Sequence, residues 1–83
     1  MTAVPRYSPM DCAQYSRLEL AIVQKRALRL RWLGRGLTHL EVVRPLDLRT
    51  RRHAEYLILR DALDRRRILR LDRIARFEVL GGA

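Results

Sequence analysis

Side chains able to do covalent or metal chemistry are few in this sequence, and none is spaced to act with another. His39 and His53 lie fourteen positions apart with no second cysteine, which is not a zinc-ligand pattern. The single cysteine, Cys12, follows Asp11, whose charge disfavours a thiolate; it reads as a small buried packing residue. Asp61 and Asp64 sit among arginines that keep both carboxylates ionised, the wrong state for a general acid. Gly34-x-Gly36 lacks the third glycine and the following helix of a phosphate loop. No enzymatic activity, cofactor, metal or small-molecule substrate is expected.

Charge is the stronger signal. Eighteen basic residues face 9 acidic ones, a net charge of +9, and Lys25 is the only lysine. Such a balance favours polyanionic partners: nucleic acid, an acidic protein face or anionic lipid. Arginine suits phosphate because its planar fork binds it bidentately and stacks on bases. The same arginine bias also arises from G+C-rich coding without any partner. Strands carrying Arg29, Arg31, Arg70 and Arg73 among Tyr7, Tyr15, Trp32 and Tyr56 would offer cations and stacking faces to a single strand. Against this, the aromatics lie on apolar stripes and fit a core equally well.

The elements that position these groups must come from one small domain. A chain of 83 residues buries roughly 60–65% of its unfolded surface. Hydrophobic residues make up 48% and charged ones 33%, a globular composition. One cysteine excludes an internal disulfide, and no apolar run is long enough to span a bilayer. Met1 to Arg6 contain no signal core, so a cytoplasmic location is expected.

Residues 1–10, with Pro5 and Pro9, read as an extended arm. Asp11 and Gln14 have capping-box spacing, and Tyr15, Leu18, Ala21 and Ile22 share one face, giving a helix over 11–23. Leu28, Leu30 and Trp32 then alternate with Arg29 and Arg31, a strand pattern. Gly34-Arg35-Gly36 supplies a turn, and Leu37 to Arg44 a second strand that Pro45 should end. From Leu46 to Leu80 there is no glycine or proline, so propensity favours a helix over 54–79. Tyr56–Leu59 and Ile68–Leu71 are also compact apolar runs that fit strands, and the residues alone leave both readings open.

Three ordered strings carry a family resemblance. Tyr7-Ser8-Pro9-Met10-Asp11-Cys12 with Tyr15 and Leu18-Glu19-Leu20-Ala21 resembles the opening of the Rof family of Rho-binding antiterminators. Asp47-Leu48-x-Thr50-Arg51 with Glu55-Tyr56-Leu57 is similar to that family's central signature, and Leu69-Arg70-Leu71-Asp72-Arg73-Ile74 with Phe77 to its closing strand. The resemblance implies a mainly β fold: an N-terminal helix, then a small bent antiparallel sheet akin to an Sm-like barrel over 26–80. Leu69 and Leu71 would point inward, Ile74 and Phe77 would close the end, and Leu18 and Ile22 would seat the helix. It further implies a monomer that binds the RNA-binding domain of Rho through Asp11, Tyr15, Glu19 and Arg51, blocking RNA loading and thus Rho-dependent termination. Where that family is acidic, this chain has Ala13, Gln14, Ser16 and Arg17.

The alternative expectation is a small arginine-rich RNA-binding module on the same scaffold. Its contacts would be Arg49, Arg51, Arg52, Arg65, Arg66, Arg67 and Arg70, with Arg65-Arg66-Arg67 otherwise a solvated turn. Neither reading involves a membrane.

Overall fold

The computed structural model describes residues 10–81, and the expected N-terminal arm lies almost wholly outside them. The fold is mainly β. One helix, α1 (Cys12–Val23), precedes strands β1 (Leu28–Gly34), β2 (Leu37–Arg51), β3 (Ala54–Arg60), β4 (Arg66–Arg70) and β5 (Ile74–Val79), with a short 3-10 turn at Leu71–Arg73. No helix among the described residues is long and apolar enough to cross a membrane.

Helix α1 forms where periodicity places it, with Asp11 before it and Val23 at its end as expected, but the expected capping box does not form. Asp11 occupies the N-cap without a side-chain cap bond, and its backbone carbonyl accepts the Tyr15 N–H at 2.9 Å. Gln14 does not close a capping box; its Oε1 accepts from Arg17 Nη1 at 3.2 Å. Cys12 is exposed rather than buried, because it opens the helix on the side away from the sheet's core. At the C-terminus the Arg26 N–H reaches Ala21 O and the Lys25 N–H reaches Ile22 O, with Lys25 at φ 56. This is a Schellman closure with lysine in glycine's usual place.

Strands β1 and β2 form the expected hairpin, with Gly34 opposite Leu37 and positive φ at both Arg35 and Gly36. That pattern belongs to the type I′ turn, whose twist matches the strands it joins. Pro45 does not end β2. The strand runs on to Arg51 but changes partner: β1 pairs with it up to Val43, and β3 from Arg44 onward. Register jumps between Pro45 and Asp47, making Leu46 an extra residue in a bulge, where a missing N–H is tolerated.

Residues 54–79 resolve as strands. Burial outweighs helix propensity here, because Leu57 and Leu59 are 0% and 2% exposed in an interior strand. The antiparallel sheet has the order β4-β3-β2-β1-β5 and is open, with β4 and β5 at its edges. Leu18 and Ala21 of α1 pack with Leu28, Leu30, Val43, Leu57, Leu59, Leu69, Leu71 and Phe77 into one core. Ile22 and Ile74 flank that core partly buried. Leu71 reaches it from the 3-10 turn, not from a strand.

Candidate functional site

On the face of β2, β3 and β4 away from α1, the registers build three rows. Arg49 lies opposite Tyr56, which lies opposite Arg70; Asp47, Ile58 and Ile68 form the next row; Arg44, Arg60 and Arg66 the third. Because strand side chains alternate, these residues share one face. Part of this face lines an open groove of about 820 Å³, with Tyr56, Ile58 and Ile68 along it and Arg49, Thr50, Arg51, Arg52 and Arg66 around it. Ile68 is 61% exposed while Ile58 is buried at 3%, so the apolar surface that the groove offers to solvent is mainly that of Ile68.

The turn joining β2 to β3 sets the arginines at the rim. Arg52 and His53 have φ 49 and 68, again the type I′ pattern, but without glycine. Left-handed backbone at two such residues costs about 1–2 kcal/mol each. Strain of this kind concentrates at functional sites. Among the described residues Arg51, Arg52 and Arg66 have no carboxylate partner. Arg49 shares an exposed 3.4 Å contact with Asp47. Arg70 is engaged by Asp72, at 2.7 Å through Nε and 2.6 Å through Nη2, and is less free to bind a ligand.

Arg65 and Arg67, two of the expected nucleic-acid contacts, lie in a different structure. The buried Asp61 carboxylate, 8% exposed, accepts from the Leu63 and Arg65 N–H groups and from Arg65 Nε, each at 3.0 Å. Arg67 bridges Asp61 to Glu41, reaching Glu41 through two nitrogens at 2.9 and 3.2 Å. Glu41 also accepts the Trp32 indole N–H at 2.7 Å, and Trp32 stacks on His39 at 4.1 Å. Arg65-Arg66-Arg67 is therefore no solvated turn. Arg65 holds Asp61 within the loop before β4, Arg67 ties β4 and that loop to the β1–β2 hairpin, and Arg66 faces the groove.

The electrostatics follow from these bonds. The backbone N–H of Arg65 is the main influence holding the Asp61 carboxyl below its ordinary pKa. Burial pushes the Glu41 carboxyl up, but hydrogen bonds from Arg67 and Trp32 outweigh it and the pKa is lowered. The Arg67 guanidinium is held still more firmly protonated by Glu41.

Of the residues that the Rof resemblance singles out, Asp11 and Glu19 are exposed on α1 and Tyr15 is half-buried. Burial, then Glu55, Glu19 and Asp47, push the Tyr15 hydroxyl pKa up, so Tyr15 sits among carboxylates. Arg51 instead lines the arginine groove. Sequence reasoning did not assemble the groove, whose parts come from three strands. It missed the Glu41–Arg67 link altogether, since residues 26 apart leave no local trace.

A family model of the WYL domain matches residues 13–79. The chain belongs to the WYL domain family. Among solved structures, the WYL chain is similar to proteasome accessory factor B/C (PafBC) of Arthrobacter aurescens, with TM-score 0.78 and 27% identity over 93% of this chain and 13% of that one. The chain thus spans only a small part of that protein's length. Comparison with curated proteins gives no match. The WYL match overturns the Rof resemblance, and Rho as partner and antitermination as function fall with it. The strings behind that resemblance cover most of α1, the β2–β3 hairpin and the passage from β4 to β5.

Proposed function

We propose that this WYL domain is a sensing module of a transcription regulator, and that its arginine groove takes single-stranded nucleic acid. The observation that carries this reading is the convergence of Arg49, Arg51, Arg52 and Arg66 on the edge of an apolar strip that begins at Tyr56. Guanidinium groups would follow the phosphates while the Tyr56 ring offers a base a stacking face. Binding needs no reaction, and we read the domain as a binder, not a catalyst. Regulation of transcription fits a cytoplasmic location. The strand order after one leading helix, with β2 bent at Leu46, supports regarding the sheet as Sm-like.

The test is fluorescence anisotropy with a labelled oligonucleotide of about 16 nucleotides, a span that one such groove can engage. Affinity should fall with salt at a log–log slope of about −0.7 per phosphate neutralised. Arg51→Gln with Arg52→Gln should make that slope shallower by about 1.4, whereas Arg65→Gln should leave it unchanged. A slope identical in wild type and double variant would exclude the groove. A second reading, a small anionic effector, is favoured by the groove's volume, about 820 Å³, which falls within the ordinary ligand-pocket range. Displacement of the oligonucleotide by a mononucleotide at comparable affinity would select it.

A further inference from the structure

The other half of the sheet carries a second exposed face, built from β5, β1 and β2. Its rows are Glu78, Arg29 and Val42; then Arg76, Arg31 and Leu40; then Leu33 and Thr38. Leu33, Leu40 and Val42 are 52%, 64% and 46% exposed, a contiguous apolar strip beside the arginines. The first row is electrostatically satisfied, since Arg29 Nη1 lies 3.1 Å from Glu78 Oε1. The second is not. Arg31 and Arg76 are direct cross-strand neighbours, both exposed, and neither has a carboxylate partner among the described residues. Like charges in that position are destabilising. A repulsive pair beside exposed leucine is an arrangement that folding alone does not favour.

We propose that this face docks an acidic amphipathic helix of a partner protein, whose apolar side chains cover Leu33, Leu40 and Val42 while a carboxylate enters between Arg31 and Arg76. Charge complementarity selects this occupant. A second copy of a chain with net charge +9 would bring more arginine to the same row. Nucleic acid fits poorly, because the face's exposed side chains include no aromatic ring on which a base could stack. None of these residues lines the arginine groove, and the proposal does not depend on that groove's role.

A fluorescein-labelled helical peptide of about 18 residues, with leucine on one face and glutamate along both flanks, is a suitable probe. The intact chain should bind it, and Leu40→Ser and Arg31→Glu should each weaken binding roughly tenfold or more. Arg31→Glu should meanwhile raise the melting temperature, because it turns the Arg31–Arg76 repulsion into an attraction; this separates lost docking from lost folding. Arg51→Glu with Arg52→Glu should leave peptide binding intact. The proposal is overturned by absent binding, or by equal binding to wild type, Leu40→Ser and Arg31→Glu. It is also overturned by self-association that Leu40→Ser abolishes, or by displacement of the peptide by a single-stranded oligonucleotide.

Discussion

The indole N–H of Trp32 donates to Glu41 Oε2 across 2.7 Å, and the same carboxylate receives both Arg67 bonds. Trp32 and Glu41 lie on neighbouring interior strands of the hairpin, while Arg67 belongs to the edge strand β4. One carboxylate therefore joins the two halves of a sheet bent at Leu46. Glu41→Gln keeps the shape but removes the charge, and should cost about 1–3 kcal/mol in urea unfolding. A loss no larger than that of an exposed Glu78→Gln control would contradict this role.

Acid sensitivity follows from the same network. The Glu41 and Asp61 pKa values are both lowered in the folded state. Their contribution is complete above the ordinary carboxylate pKa values and is lost as pH falls through the lowered ones. Thermal stability should be level near neutrality and drop steeply in the acid limb. In Glu41→Gln that limb should be shallower. An unchanged limb in both Glu41→Gln and Asp61→Asn would count against the assignment.

Gly34 has no room for a side chain. A Cβ there would overlap Trp32 Cζ3. Gly34→Ala should destabilise by about 1–3 kcal/mol, the usual cost of overpacking. Its effect should shrink when Trp32 is already alanine, which a double-mutant cycle measures directly. Additive losses would mean that the indole does not exclude the methyl group.

The strained turn offers a prediction of opposite sign. His53 sits at φ 68. His53→Gly should raise stability by about 0.5–1 kcal/mol, relief of the left-handed cost less the added freedom of the unfolded glycine. Oligonucleotide affinity should change little, since the rim arginines remain. A destabilised variant would show that His53 makes contacts outweighing its backbone strain.

Helix α1 and the β1–β2 hairpin were legible in the sequence because each is a local pattern: period 3.6 through Leu18 and Ile22, then period 2 through Leu28 and Leu30. Pro45 misled because proline is usually a strand terminator, and only the partner change at the bulge explains its place. The strands after it were ambiguous for a related reason. Arg, Leu and Asp fit either state, and what decides is burial of Leu57 and Leu59 against residues far away in the chain. Arg51, Arg52 and Arg66 were named as candidates from charge alone, but charge gave no means of separating them from Arg65 and Arg67. That separation depends on which strand face each residue occupies and on the distant partner Glu41. The Rof resemblance rested on three short strings, whereas the WYL match draws on residues 13–79 together.

The central claim is that nucleic acid enters the groove of β2, β3 and β4. It is tested most directly by titrating the ¹⁵N-labelled domain with the single-stranded oligonucleotide and following backbone amide shifts. The account predicts shifts confined to Arg49–Arg52, Tyr56, Arg66 and Ile68, with Arg29–Leu33 and Arg76 unmoved. Shifts centred on Arg29–Leu33 and Arg76, or spread evenly over every exposed arginine, would contradict it.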